Sequence, residues 1–337
     1  MKVYLRDGVV FEAGSGRTLL DEARAAGVVL NYSCRTGRCG VCRVRVTSGE
    51  TLALKSEIDL SDADREAGSI LTCCRAAASD VSLDAESLDA LKGITIRTLP
   101  ARISAIDKLS TDIVRVRLRL PPNAKFDFVP GQYVDVIGRE GIRRSYSMAN
   151  APEEGGIELH IRHVDEGAMS AYWFNDAKVN DLLRIEGPLG TFFFRRPETL
   201  EDRDILFLAT GTGIAPLRAM LVRLAQRELF FEKNRVHLFW GGRTPEDFYW
   251  SPTATNNRLI YRSVISRPGG DRSAAPTYVQ HVAATTLSNL SRAVVYACGS
   301  ELMVSSAREH LVKRGLDPAF YYYEAFVSSM ELVEGAT

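Results

Sequence analysis

Asn31-Tyr32-Ser33-Cys34-Arg35-Thr36-Gly37-Arg38-Cys39-Gly40-Val41-Cys42 puts three thiols within nine residues, in a C-x4-C-x2-C array. A further cysteine follows in Ile70-Leu71-Thr72-Cys73-Cys74-Arg75. A 2Fe–2S cluster needs four thiolates converging on two irons, and this spacing supplies them. Gly37 and Gly40 suit a backbone that wraps closely around inorganic sulfide and aims N–H groups at it. Buried unreactive cysteines and half of a zinc site are the competing readings. Zinc sites use duplicated C-x2–4-C pairs or a His-x3–5-His, and neither accompanies the loop. Cys73 and Cys74 both remain candidates for the fourth ligand. In an extended segment their side chains point to opposite faces, so only one can meet the irons.

Working outward, the 337 residues exceed a single ordinary core and suggest two or three domains. Basic and acidic side chains balance at 42 each, and 45% of residues are apolar, as in a globular protein. No basic block points to nucleic acid. The first residues, Met1-Lys2-Val3-Tyr4-Leu5-Arg6-Asp7, lack the apolar centre of a signal peptide. Apolar runs such as Ile205–Ala209 are strand-length, so no membrane span is expected. Six cysteines, four of them committed to iron, fit the reducing cytoplasm.

Residues 1–92 read as one unit. Asp7-Gly8 marks a hairpin between Val3–Leu5 and Val9–Phe11, and Thr18 caps a helix over Leu19–Ala26 that Gly27 ends. Arg43–Val46 alternates as a half-buried strand, and Ser87–Gly93 reads as a linker. Residues 98–198 follow an all-β pattern, in which Val114–Leu120 alternates strictly. The arginines of that run could face an anionic partner, but a solvated strand face accounts for them more simply. Over 200–337 strands alternate with helices: Ile205–Ala209, Pro216–Arg227, Val236–Trp240, Leu259–Ile265, Tyr278–Ala284, Ala293–Ala297 and Glu301–Arg314. That rhythm predicts a parallel sheet covered by helices on both faces.

Three further motifs carry chemistry. Arg144-Ser145-Tyr146-Ser147 ends a β segment, offering a cation, an aromatic face and a hydroxyl. After Arg162, the run Gly167-Ala168-Met169-Ser170 offers N–H and hydroxyl donors at a helix start, where a pyrophosphate is favoured. Thr210-Gly211-Thr212-Gly213-Ile214-Ala215-Pro216 lies between a predicted strand and helix, so its amides can approach a dinucleotide phosphate. It departs from the G-x-G-x-x-G fingerprint. Cys298-Gly299 and Tyr323-Glu324-Ala325-Phe326 fall at strand ends and belong beside Gly211. Cys298 and Phe326 also have plain core readings. The five histidines show no ligand-like spacing.

Taken in order, the cysteine loop, Arg-x-Tyr-Ser, Gly-Thr-Gly-Ile-Ala-Pro, Cys-Gly and the Glu-Ala-Phe near the end resemble the ferredoxin–NADP reductase superfamily with an amino-terminal plant-type ferredoxin, over essentially the whole chain. The resemblance implies a β-grasp ferredoxin domain, an antiparallel flavin-binding β-barrel and a doubly wound nucleotide domain. In plant-type ferredoxins the last ligand follows Leu-Thr or Leu-Ala and stands seven places before the Asp of a Ser-Asp pair. Cys73 and Asp80 match that, so the resemblance selects Cys34, Cys39, Cys42 and Cys73. It implies FAD, because FMN-using relatives carry their ferredoxin at the carboxy terminus. Arg144, Tyr146 and Ser147 would hold the flavin, with Ser147 near N5, and Arg162, Gly167, Met169 and Ser170 would serve the phosphates. Thr210, Gly211, Thr212, Gly213, Pro216 and Gly299 would bind NADH or NADPH. Ser147, Cys298, Glu324 and Phe326 would flank the hydride. Such proteins feed a terminal oxygenase, most often a Rieske-type aromatic hydroxylase. A similar branch serves a CDP-hexulose dehydratase, and others a diiron monooxygenase.

The motifs together define one chemical task. A nicotinamide gives up two electrons as hydride, a 2Fe–2S cluster takes one, and a flavin reconciles them. A redox-sensing module without turnover would not need intact Arg144 and Gly211 motifs. Ser266-Arg267 and Tyr278-Val279-Gln280 resemble the 2′-phosphate contacts of NADPH-using members, whereas Asp271 in the intervening loop would repel that phosphate. Both coenzymes are therefore expected to work, with a slight lean toward NADH.

Overall fold

The computed structural model describes residues 1–138, 141–252, 258–266 and 277–327. The chain forms two compact units, Met1–Ile94 and Thr95–Phe326.

In the first unit five strands form a mixed sheet, in the order Val10–Glu12, Lys2–Leu5, Val81–Leu83, Arg43–Ser48, Ser69–Leu71. Lys2–Leu5 pairs antiparallel with Val10–Glu12 and parallel with Val81–Leu83, which makes this a β-grasp sheet. The helix Leu19–Ala25 lies in the grasp, burying Leu19, Leu20 and Ala23 against Val3, Leu5, Phe11 and Leu83. Its start is fixed by Thr18, whose Oγ1 accepts the Asp21 N–H at 3.1 Å. Thr18→Ala is expected to cost about 1 kcal/mol, read as a lower urea midpoint for the first unit. The Leu20 N–H donates to Thr72 O at 3.0 Å, so this helix also braces the segment before Cys73. Ser87–Gly93 is more than a spacer. It contains a short helical turn, Asp89–Leu91, that buries Leu91.

The second unit holds two sheets. Six antiparallel strands run in the order Arg143–Ser147, Tyr133–Ile137, Leu182–Leu189, Arg97–Lys108, Ile113–Arg119, Ile157–Arg162. A bridge from Met148 to Leu159 brings the outer strands together and nearly closes the barrel. Val116, Val134, Ile103, Leu159, Ile185 and Trp173 fill it. The alternating arginines lie on its outer face, where Arg115 pairs with Asp107 at 2.9 Å and Arg117 with Glu158 at 3.1 Å. These two are matched locally and call for no anionic partner.

The other sheet is wholly parallel, ordered Ile260–Ile265, Arg235–Gly242, Asp204–Thr210, Ala293–Ser300, Tyr321–Phe326. Its three central strands are buried on both faces because both are covered. One face packs Phe207, Trp240 and Tyr296 against Leu217 and Leu221 of helix Ile214–Ala225. The other packs Leu206, Phe239 and Val295 against Ala283 and Leu311 of helices Val279–Thr286 and Glu301–Lys313. Strand order reverses at Asp204–Thr210, the first strand in sequence. Gly211 therefore emerges at the switch point, where this class of sheet binds ligands.

Candidate functional site

The cysteines fall into pairs. Cys42 Sγ lies 3.3 Å from Cys73 Sγ. Cys34 and Cys39 share a hydrogen bond that holds the Cys34 thiol below its ordinary range and pushes Cys39 up. Cys73 is likewise lowered by Cys42 and Cys74, while Cys42 is raised. Among the described residues no three His, Cys, Asp or Glu side chains form a single-ion site. Two pairs are what two irons bridged by sulfide require, since each iron takes two protein thiolates. Gly37 completes the cradle. Its φ is +77°, and a Cβ there would lie 2.3 Å from Ser56 O and 2.8 Å from Cys74 Sγ. The residues present thus fit the cluster.

The extended geometry expected for Cys73-Cys74 is not observed. The Cys74 N–H donates to Leu71 O at 2.8 Å and closes a turn. The two thiols consequently sit on one side, 3.6 Å apart, instead of on opposite faces. Only Cys73 approaches Cys42; Cys74 Sγ donates to Ser56 O at 3.4 Å.

In the second unit the Arg144 motif ends the barrel strand Arg143–Ser147. Arg144 Nη1 donates to Arg143 O at 2.7 Å, and its side chain is half-exposed. Tyr146 accepts from Trp173 Nε1 at 3.0 Å with the rings edge to face, and burial pushes its hydroxyl up to about 12. Gly167 precedes the helix Ala168–Ala171. Ser170 Oγ accepts the Val164 N–H at 2.8 Å, which fixes the loop between them. Met169 is buried with its sulfur under Gly138.

Ser147 Oγ donates to Glu324 Oε2 at 2.8 Å, joining residues 177 apart in sequence. Both are buried. Glu324 pairs in register with Cys298, whose thiol burial pushes well up, with the Glu324 charge adding to the effect. Cys298 is therefore a neutral thiol at physiological pH and no nucleophile.

Above the switch point lies a cleft of about 580 Å³. Arg162, Thr210, Gly211, Thr212, Ser266, Gln280 and Phe326 line it. Gly213 admits no side chain, since a Cβ would fall 2.1 Å from Cys298 O. Pro216 sits in the first turn of the following helix, where a missing N–H costs nothing. A Cβ on Gly299 would fall equally close to Thr210 Oγ1, and Trp240 Nε1 donates to Gly211 O at 3.0 Å. Two glycine-bearing turns are thus locked face to face. Arg162 reaches into this cleft, gripped by Asp247 Oδ1 at 2.5 Å, with Asp112 3.2 Å from its Nε. Sequence reasoning missed Asp247, which also accepts the Arg243 N–H at 2.6 Å. The Thr244-Pro245-Glu246-Asp247 cap was the available signal. Arg267 lies outside the described residues, and Ser266 Oγ donates to Gly242 O at 3.1 Å.

A thiol cradle for a 2Fe–2S cluster, a barrel with an aromatic and hydroxyl edge, and a dinucleotide cleft define an iron–sulfur flavoprotein reductase. Family models agree segment by segment. The 2Fe-2S iron-sulfur cluster binding domain matches residues 3–78, the oxidoreductase FAD-binding domain 100–194 and the oxidoreductase NAD-binding domain 207–309. The CDP-6-deoxy-L-threo-D-glycero-4-hexulose-3-dehydrase reductase of Yersinia pestis is 37% identical, covering 96% of this chain and 97% of that protein. Reductase component 1 of a Comamonas terephthalate 1,2-dioxygenase is 32% identical over 97% of this chain and 98% of its own. The crystal structure of an Amycolatopsis cytochrome P450 reductase superposes with a TM-score of 0.77 at 26% identity, covering 97% of this chain and 99% of that one. The chain belongs to the ferredoxin–NADP reductase superfamily, in the branch with an amino-terminal 2Fe–2S domain. It is an NAD(P)H-dependent oxidoreductase that uses FAD and a 2Fe–2S cluster. Among the described residues no helix is long and apolar enough to cross a membrane.

Proposed function

We propose that this chain moves reducing equivalents from NADH or NADPH to a terminal oxygenase in the cytoplasm, releasing them singly through the cluster. The two-and-two pairing of thiols, in one chain with the dinucleotide cleft, carries this reading. When bound, FAD exchanges a hydride for single electrons and the cluster relays them. Cys34 and Cys39 would hold one iron, Cys42 and Cys73 the other. Arg144, Tyr146, Gly167, Met169 and Ser170 would hold FAD. Thr210 to Gly213, Pro216, Gly299, Ser266 and Arg162 would hold the coenzyme, and Phe326 at the cleft would screen the nicotinamide from water. The buried Ser147–Glu324 pair and Cys298 would fix its angle against the flavin.

A second acceptor, a CDP-hexulose dehydratase, is favoured by the identity of 37% to the Yersinia protein against 32% to the dioxygenase component. Anaerobic NADH or NADPH is expected to bleach both flavin and cluster bands, with kcat/KM for the two coenzymes within about tenfold, a gap of about 1.4 kcal/mol. The reduced protein is then mixed with a purified Rieske oxygenase component or a hexulose dehydratase. Reoxidation by the oxygenase supports the first acceptor, and reoxidation by the dehydratase alone supports the second. A cluster band that NAD(P)H leaves unbleached would sink the electron route.

A further inference from the structure

The stretch Thr51–Leu60 carries no motif, yet it touches the cluster cradle from both sides. Glu57 at its centre is 7% exposed. Its Oε1 accepts the Leu71 N–H at 2.7 Å, and its Oε2 accepts Arg75 Nε at 2.9 Å. Those two donors bracket the Thr72–Cys74 turn. The same stretch also holds the turn's last residue, because the Leu54 and Lys55 N–H groups donate to Cys74 O at 2.8 and 3.2 Å. On the other side, the Asp59 N–H donates to Gly37 O at 3.0 Å, inside the cysteine loop.

We infer that Glu57 is a positioning residue for the cluster, a buried carboxylate that clamps both ends of the turn and so sets the Cys73 thiol against Cys42. The inference rests on Cys73 being the fourth ligand. A carboxylate suits the task because it offers two acceptor oxygens to two divergent donors, one of them a cation. Burying this charge is otherwise unfavourable, and these two bonds offset that cost. A glutamine keeps one acceptor for Leu71 but turns an N–H donor toward Arg75. Partners that orient a metal ligand from behind it typically change metal affinity 10- to 100-fold.

The test uses the full-length holoenzyme and its Glu57→Ala, Glu57→Gln and Cys73→Ser variants. Readouts are the rate of cluster bleaching under EDTA and air, and the electron paramagnetic resonance spectrum after dithionite reduction. FAD content and ferricyanide turnover are the controls. Glu57→Ala is expected to lose its cluster about tenfold or more faster. Glu57→Gln should fall between it and wild type, with a perturbed spectrum in each and unchanged controls. Wild-type lifetime and spectrum in Glu57→Gln and Glu57→Ala, or in Glu57→Gln alone if the alanine variant does not fold, overturn the clamp. Cluster loss accompanied by loss of FAD in Glu57→Gln also overturns it, since the effect is then global. A cluster retained in Cys73→Ser overturns the ligand assignment, and the clamp with it. A cluster lost there but indifferent to Glu57 overturns the clamp alone.

Discussion

Cys34→Ser, Cys39→Ser, Cys42→Ser and Cys73→Ser are each expected to abolish electron delivery to the partner protein while ferricyanide reduction by NAD(P)H stays near the wild-type rate. Serine keeps the shape of cysteine but ionises far less readily, so it is a poor substitute for a thiolate on iron. Losing one member of a pair leaves an iron with a single protein ligand. The chemistry in the second unit is expected to be untouched, because the FAD-binding and NAD-binding domains lie there and hold none of these thiols. Ferricyanide can draw electrons from flavin; cytochrome c serves as the acceptor expected to need the cluster. Iron content, the visible spectrum and the two acceptor assays together report the outcome. Wild-type cytochrome c rates in a variant without its cluster would refute the electron order. Cys74→Ser is the paired control, expected to keep its cluster, because Cys74 is directed at Ser56 O. The reverse result for Cys73 and Cys74 would reassign the ligand.

The sequence made the three larger sheets legible for different physical reasons. Thiol spacing and the Thr18 cap marked the first unit, strict alternation in Val114–Leu120 the barrel, and repeated apolar runs the parallel sheet. Local chemistry governs each of these. What stayed hidden depends on contacts between distant residues. Nothing about Glu57 in sequence says that its carboxylate reaches Leu71 and Arg75, and nothing about Asp247 points to Arg162. The turn at Cys73-Cys74 departs from the extended segment expected there, because a backbone bond to Leu71 decides its shape. His160 illustrates the same limit. It is buried between Glu158 at 3.0 Å and Tyr249 at 3.1 Å, a link from barrel to parallel sheet that spacing alone could not reveal.

Ser147→Ala is expected to slow flavin reduction by NAD(P)H roughly ten- to a hundredfold, with FAD content unchanged. Ser147 Oγ donates to Glu324 Oε2 at 2.8 Å, and exposures of 8% and 3% leave little water to replace it. A hydrogen bond to a buried carboxylate contributes about 1.5–3 kcal/mol, and its loss weakens the hold on Glu324 in the position beside Cys298. The cleft residues proposed to hold the coenzyme are unaltered, so KM should change little while the maximal rate falls, the pattern of an interaction made at the reacting atoms. Glu324→Gln keeps an acceptor for Ser147 and should lose less than Ser147→Ala. The double variant Ser147→Ala/Glu324→Gln should be no slower than the worse single one, because the two act as a unit. Stopped-flow bleaching of the flavin under anaerobic conditions gives these rates directly. A wild-type rate in Ser147→Ala, with a lowered melting temperature, would make the pair a structural joint between barrel and parallel sheet and take it out of the hydride site.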